Sequence, residues 1–505
     1  MILALDQGTT GSKALLIDEQ GRIATERYRE FTQHFPKPGW VEHDASEIWE
    51  VTIAVAAEAM AAEGLRGPDL AAVGITNQRE TVVAWDRTSG EPLGRAIVWQ
   101  DRRTTARCAE LVAAGHSDLV RERTGLTIDP YFSATKIEWM LNNVDGLAER
   151  DPTATCFGTI DSWLAFKATG RHVTDYTNAS RTMLFNIAKL QWDAELCELF
   201  GVDVRSLPEV LPSQGLFGET EASLFCGKSV PLAGIAGDQQ AALFGQACLE
   251  PGLAKNTYGT GSFVLLNVGD AAPAPSDGLL GTVAWGAFGE VSYAYEASVF
   301  VAGAAVQWLR DGLGLLKLAG ETEQLAASLD GNDGVYFVPA LTGLGSPHWD
   351  PNARGAIMGL TRGTTRAHLA RAALEAMAFQ TVDAVHAMEG AASVALAELH
   401  ADGGAVANRW LMQFQADVLG APVVVPEVTQ TTAYGAGLMA GITVGLWQRD
   451  DVKRLWREAD RFEPQMPESQ RRGLLDEWSA TVSAVRERGT PVQPKPTLHT
   501  RTGNG

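Results

Sequence analysis

Cysteine is scarce in this sequence and follows no pattern. The chain has five in 505 residues, Cys108, Cys156, Cys197, Cys226 and Cys248. None forms a C-x-x-C pair, so neither a zinc site nor a disulfide framework is indicated, and this usage fits a reducing cytosol. Long apolar runs are also lacking. The most apolar window, around residues 297–309, is too short and interrupted to cross a bilayer. The first residues run directly into Asp6-Gln7-Gly8, with no basic leader, apolar core or cleavage pattern. A cytoplasmic chain without membrane insertion is expected. Positive charge is short as well: 41 Lys and Arg stand against 61 Asp and Glu, a net charge of −20. Such a field repels nucleic acid and anionic lipid, so no nucleic-acid partner is expected. It does not exclude a nucleotide, which backbone amides and Mg²⁺ can hold.

What is present is globular and patterned. Hydrophobic residues make up 45% and charged residues 20%, which places the chain among ordinary folded proteins. Its length exceeds one ordinary core and predicts two large domains. Strand-like and helix-like patches alternate, which indicates α/β architecture. No low-complexity linker separates them. The turn residues Glu250-Pro251-Gly252 mark the boundary, giving units at residues 1–248 and 249–488. Residues 489–505, rich in Pro, Thr and Gly, are expected to form a flexible tail.

Local patterns are informative. Residues 2–5 and 14–17 read as a β-hairpin around a polar glycine turn. Asp44-Ala-Ser-Glu47 reads as a capping box opening a helix with Trp49, Ile53, Ala56 and Met60 on one face. Residues 71–76 and 81–85 read as strands around the polar tip Asn77-Gln78-Arg79-Glu80. Leu374, Met377, Ala378, Val382 and Val385 follow helical spacing, with Arg371 and Glu375 as an i,i+4 pair.

Three glycine turns bear on phosphate binding. Asp6-Gln-Gly-Thr-Thr-Gly-Ser-Lys13 and Asn256-Thr-Tyr-Gly-Thr-Gly-Ser262 share one plan about 250 residues apart. Glycine lets the backbone approach a phosphate, and Thr hydroxyls add donors. Asp6 cannot face phosphate without repulsion, but it can hold a Mg²⁺ ion that does. Ala401-Asp-Gly-Gly-Ala-Val-Ala-Asn408 reads as strand, Gly-Gly turn and helix, a place for a nucleotide at a helix N-terminus. Each turn alone is equally well an ordinary tight turn. The only Gly-Lys-Ser, Gly227–Ser229, has Ala222 where a P-loop needs glycine and Pro231 where its helix would begin, so that reading is rejected.

Two sets of residues bear on acid–base chemistry. Asp238 lies at a predicted helix start, where Asp is a favoured N-cap; alternatively it accepts a proton from an attacking hydroxyl. Arg79 beside Glu80 offers a donor and an acceptor at fixed spacing, as a polyol needs. Tyr131 can add a hydroxyl, and Trp99 and Phe263 can cover a carbon face. Alternatively these aromatics are core packing.

Taken in order, the motifs carry a resemblance. Ala4-Leu-Asp-Gln-Gly-Thr-Thr10, Gly74-Ile-Thr-Asn-Gln-Arg-Glu-Thr81, Ile128-Asp-Pro-Tyr-Phe-Ser133 and Gly234-Ile-Ala-Gly-Asp-Gln-Gln-Ala-Ala-Leu-Phe-Gly-Gln246 are four of them. Asn256-Thr-Tyr-Gly-Thr-Gly261, Ala340-Leu-Thr-Gly-Leu-Gly345 and Asp402-Gly-Gly-Ala-Val-Ala-Asn408 are the others. Together they resemble the bacterial glycerol kinases of the FGGY carbohydrate-kinase family.

The resemblance implies an α/β chain of two actin-like (RNase H-like) ATPase domains with an interdomain active-site cleft. It implies ATP-dependent phosphorylation of glycerol to sn-glycerol 3-phosphate, with ATP and Mg²⁺, by a homodimer or homotetramer. It makes Asp238 the general base and assigns Asp6 and Asp238 to the metal. Arg79, Glu80, Tyr131, Asp238 and Gln239 match glycerol-binding positions, with Trp99 and Phe263 as the apolar wall. Thr9, Thr10, Gly11, Lys13, Thr260, Gly303, Gln307, Gly404 and Asn408 match the nucleotide side.

Some positions depart from the family pattern. Lys13 stands where familiar members have Arg, and Gly11 where they have Ser. Phe225-Cys-Gly-Lys-Ser-Val230 is shorter than the Gly-Gly-Lys-Gly-Gly-Thr-Arg loop that some members use for fructose 1,6-bisphosphate inhibition, and it lacks the Arg. It has no histidine for control by phosphorylation either. Two rival expectations remain. One is a family kinase for xylulose, ribulose or gluconate. The other is an actin-like scaffold that hydrolyses ATP without an acceptor.

Overall fold

The computed structural model describes residues 1–225 and 227–489. It opens with the expected hairpin: β1 (Ile2–Gln7) and β2 (Gly11–Ile17) pair antiparallel. β3 (Ile23–Glu30) extends the meander. Helix α1 (Ala45–Ala62) then crosses to β4 (Ala72–Asn77), which lies parallel to β1. An insertion carrying α2 (Ile160–Thr169) precedes β5 (Gln214–Glu219) and β6 (Pro231–Gly237). The strand order is β5-β6-β4-β1-β2-β3. Helix α3 (Asp238–Gly245) follows β6.

The second half repeats this plan. β7 (Leu253–Tyr258), β8 (Ser262–Gly269), β9 (Leu280–Ala287) and β10 (Glu290–Val299) form its meander. Then come α4 (Arg366–Ala392), β11 (Glu398–Gly403), α5 (Arg409–Leu419), β12 (Val423–Pro426), α6 (Thr431–Thr443) and β13 (Glu458–Phe462). The order is β9-β10-β8-β7-β11-β12-β13. β1, β2, β3, β4 and β6 correspond to β7, β8, β10, β11 and β12, with the same parallel and antiparallel neighbours. The likeness of the two glycine–threonine turns is thus part of a duplicated sheet, the two-domain α/β plan that was expected. In such sheets ligands gather at the carboxyl ends of the parallel strands. Here those ends carry Asp6, Arg79, Asp238, Gly259 and Gly404.

The halves are joined by helices that cross over. A Cβ on Gly435 of α6 would collide with the Ala241 carbonyl of α3, and one on Gly245 with the Thr431 carbonyl. Glycine lets the two backbones touch there. α6 also lies on the first sheet, where a side chain on Gly74 would collide with the Ala436 carbonyl.

Several local expectations hold and others need correction. The α4 residues Leu374, Met377, Ala378, Val382 and Val385 are buried, and Arg371 bonds Glu375 at 2.7 Å. Asp44 caps α1 by accepting from Ser46 and Glu47 amides. Glu47 does not complete a box, because its carboxylate accepts from Thr32 instead. The buried face of α1 is also shifted. It runs through Ile48, Val51, Val55 and Ala59 and includes the expected Ala56 and Met60, while Trp49 and Ile53 lie at its margin.

Residues 77–80 are not a hairpin tip. β4 belongs to the first sheet, whereas Val82–Asp86 pairs with Thr155–Thr159 in a separate four-stranded sheet. The connection dives between sheets, and all four residues are buried. Gly227–Ser229 leads into strand β6, which agrees with rejecting a P-loop. Cys108, Cys156, Cys197 and Cys248 are free and buried; of the expected tail 489–505, Gly489 ends the helix Glu468–Gly489, and residues 490–505, like Cys226, lie outside the described residues. Among the described residues, no helix is long and apolar enough to cross a membrane.

Candidate active site between the two halves

A cavity of about 510 Å³ opens at the carboxyl ends of β7 and β11. Thr260, Gly303, Gln307, Gly404 and Asn408 all line it, together with apolar Val306, Met377 and Leu411. Its size and mixed lining suit a small organic ligand. Gly403, with φ +89°, lets β11 approach β7, since a side chain there would strike the Tyr258 backbone. The Gly-Gly turn does not open α5 directly, because a 3₁₀ turn over Gly404–Ala407 intervenes. Asn408 then caps α5, accepting from Leu411 N at 2.9 Å, and its amide donates to Thr322 at 3.3 Å.

The two glycine hairpins share a closing bond: Gly8 N donates to Gly11 O at 2.9 Å, and Gly259 N to Gly261 O at 2.8 Å. Gly11 is dictated by packing, because a Cβ there would lie 2.6 Å from both the Arg29 carbonyl and the Tyr28 hydroxyl. Thr9 and Thr10 stand at the turn. Thr9 accepts from the Trp99 indole at 2.9 Å, and Thr10 faces Tyr28 OH at 3.3 Å. Lys13 is not free to aim at a ligand as placed, since it bonds Gln430 of the second half and pairs with Glu26 at 3.5 Å. Burial pushes the Asp6 carboxyl up to about 6; Lys13 opposes the rise and Asp238 adds to it. Among the described residues no cluster of three or more His, Cys, Asp or Glu could hold a metal unaided. Two mutually repelling carboxylates suit an ion that takes its other ligands from phosphate and water, as Mg²⁺ does.

Behind the hairpins lies a buried charge cluster. Arg79 has five N–H donors. Nη1 donates to Gln240 at 3.1 Å and to Glu296 at 2.6 Å; Nη2 donates to Glu296 at 2.9 Å and to Tyr131 OH at 3.4 Å. Nε pairs with Asp238 at 3.1 Å and lies 3.7 Å from Glu80. Arg181 donates to Glu80 at 2.8 Å and to Glu296 at 3.2 Å. Burial alone would raise Glu296, but Arg181 and Arg79 outweigh it and hold that carboxyl at about 2. Glu80 takes φ +61°, the left-handed region, and its carbonyl accepts from Ser133 at 3.0 Å.

Asp238 is the first residue of α3, and Gly237 occupies the cap position. The N-cap alternative for Asp238 is therefore set aside. Its side chain keeps 31% exposure, against 1% for Glu80 and 0% for Glu296, so it is the carboxylate of the cluster that a ligand can reach. Gln239 follows it, its backbone N–H donating to Asp238 Oδ1 at 2.7 Å. Trp99 packs edge-on to Tyr131 at 5.6 Å. Phe263 sits half-buried on β8, opposite Thr257 and Ser298.

Glu296, Arg181, Lys136 and Lys255 were not singled out as site residues. Lys136 is buried and donates to the carbonyls of Pro130, Tyr131 and Phe132 at 2.7, 2.7 and 3.0 Å. It braces the Tyr131 segment. Burial pushes its ammonium down to about 8 against the pull of Glu80, Asp101 and Asp129. Lys255 is likewise pushed down to about 8 by burial, against Asp402, Glu296 and Asp238 and with Arg79 reinforcing the fall. A buried cation near an acidic motif is a sequence signal only once its partner is known.

Comparison with known proteins agrees with this geometry. The N-terminal domain of the FGGY family of carbohydrate kinases matches residues 1–245, and the C-terminal domain matches residues 254–444. The chain is 56% identical to the glycerol kinase of Rhodopirellula baltica over 491 residues, covering 96% of this chain and 91% of that one. It is 52% identical to the glycerol kinase of Bacillus subtilis over 488 residues, covering 96% and 98%. It is similar to the crystal structure of Plasmodium falciparum glycerol kinase with ADP, with TM-score 0.92, 34% identity and 98% of each chain covered. The chain belongs to the FGGY family of carbohydrate kinases.

Proposed function

We propose that the chain transfers the γ-phosphoryl group of ATP to glycerol, giving ADP and sn-glycerol 3-phosphate. The supporting observation is one reachable carboxylate, Asp238, held beside Arg79, Glu80, Tyr131 and Gln239, at strand ends that also carry two glycine–threonine hairpins. Each polyol hydroxyl donates once and accepts. Arg79, Tyr131 and Gln239 supply donors, Asp238 supplies the acceptor that is open as placed, and Glu80, now closed against Arg181, joins as a second acceptor when an entering hydroxyl reaches it. Trp99 and Phe263 cover the carbon chain. The adenosine portion occupies the 510 Å³ cavity at Gly404 and Asn408, and Thr9, Thr10, Gly11 and Thr260 face the phosphates, with Lys13 joining them when it leaves Gln430.

As placed, Arg79 Nε forms an ion pair with Asp238 Oδ1 at 3.1 Å. A hydroxyl entering between them takes a bond from the guanidinium and gives its proton toward Asp238 Oδ1. As that proton leaves, the hydroxyl oxygen bonds the γ-phosphorus and the bond to the bridging oxygen of ADP breaks. Mg²⁺ would be held by Asp6 and Asp238, and when bound it neutralises charge on the phosphates. Approach of residues 1–248 and 249–488 excludes water and limits hydrolysis. A cytoplasmic location and a homodimeric or homotetrameric assembly are part of this reading, the first supported by composition and the second by the family resemblance. An acceptor panel read by ADP release tests the reading: glycerol should stimulate strongly, and xylulose, ribulose and gluconate weakly. ATPase activity indifferent to glycerol would instead mark a scaffold.

A further inference from the structure

Lys255 is a buried cation that the proposed reaction does not use. It stands on β7 in the second half, fully buried. Its Nζ donates to Oε1 of Gln239, on α3 of the first half, and to Oγ1 of Thr257 at 3.1 Å. An ammonium has three donors and no acceptor. Whatever group faces it must accept, so the carbonyl end of the Gln239 amide turns toward Lys255. The NH₂ end then turns away, and among the described residues it has no hydrogen-bond partner. Gln239 is half-buried and directly follows Asp238.

We propose that Lys255 is a positioning residue that fixes which end of Gln239 meets the acceptor substrate. The pocket then offers an N–H at this point and demands an oxygen lone pair from the ligand. A hydroxyl oxygen fits, with its own proton directed to a carboxylate. Were the amide free to rotate, Gln239 would accept as readily as donate and would select nothing. Because the lysine comes from the other half, this polarity is set only where β7 and α3 meet. The inference rests on the reading of Gln239 as an acceptor-pocket residue.

Steady-state kinetics of four variants test it: Gln239→Ala, Gln239→Glu, Lys255→Met and the Lys255→Met/Gln239→Ala double. Gln239→Ala should raise the KM for glycerol about tenfold, the size of one lost hydrogen bond to a polar partner. The KM for ATP should stay within about twofold. Gln239→Glu keeps an acceptor and loses the donor, so it should be impaired as much as Gln239→Ala. Lys255→Met, which frees the amide to turn either way, should raise the glycerol KM by about twofold or more, and the double variant should be no worse than Gln239→Ala alone. A wild-type glycerol KM for Gln239→Ala removes both the acceptor reading and this inference. An impaired Gln239→Ala beside a normal Gln239→Glu or Lys255→Met, or additive effects in the double variant, overturns the inference alone. If Lys255→Met does not fold, Gln239→Glu decides, because it leaves the lysine in place.

Discussion

Asp238, Glu80 and Glu296 are similar acids in one cluster, and their surroundings separate them. Glu296 is sealed and doubly paired with arginines, Glu80 is sealed and bonded to Arg181, and Asp238 stays open to the cleft. Asp238→Asn should therefore lower kcat by about 10²–10⁴-fold, the usual share of a general base. Its denaturation midpoint should stay near that of the wild type, because the side chain is partly exposed. Near-normal turnover of that variant would remove Asp238 from the chemistry. Glu296→Gln should do the reverse first. It leaves Arg79 and Arg181 buried without their shared counter-charge, which costs on the order of 3–5 kcal/mol. Chemical denaturation would measure it, and an unchanged midpoint would show that the arginines find other partners.

Elements enter where the chain crosses itself. The α3–α6 contact depends on Gly245 and Gly435, so Gly435→Ala should cost about 1–3 kcal/mol or more by overpacking against the Ala241 carbonyl. A urea titration reads this, and an unshifted midpoint would mean that the helices separate freely. α2 supplies a pH test. Asp161, in its first turn, is fully buried and accepts from Thr159 at 2.5 Å and Thr174 at 2.6 Å. Burial pushes its carboxyl up to about 7; Asp175 adds to the rise and the two threonines oppose it. A raised carboxyl contributes stability that is present below its unfolded value of 3.8 and lost as pH rises through about 7. The stability of Asp161→Asn relative to wild type should therefore grow between pH 4 and 7 and level off above. Melts across that range check the slope, and a constant difference would contradict it.

The whole molecule is bound together by shared elements. α6, from the second half, packs on the first sheet, and one core cluster joins Ala4, Ile17 and Ala236 to Leu265, Tyr434 and Met439. Neither half can unfold without exposing the other. Tryptophan fluorescence and far-UV circular dichroism should therefore report one coincident denaturant transition. Two separated transitions would show independent halves.

Much of this was legible in the chain itself. The β1–β2 turn, the Asp44 cap and the buried stripe of α4 depend on residues a few positions apart, and spacing reveals them. The ordered glycine motifs carried the family resemblance, and with it a candidate acceptor set and nucleotide set. Pairing was not legible. Residues 77–80 read as an exposed tip because polar residues between two strands usually are one, and only sheet assignment buries them. Glu296 stands 217 positions from Arg79, and Lys255 meets Gln239 across the two halves. A charge buried in a protein interior is tolerated only beside its complement, and which complement arrives is decided by how the sheets are stacked. Local alternation and turn chemistry were thus set by the sequence alone, while the partners of the buried charges were decided by tertiary structure, because long-range contacts leave no periodic trace in the chain.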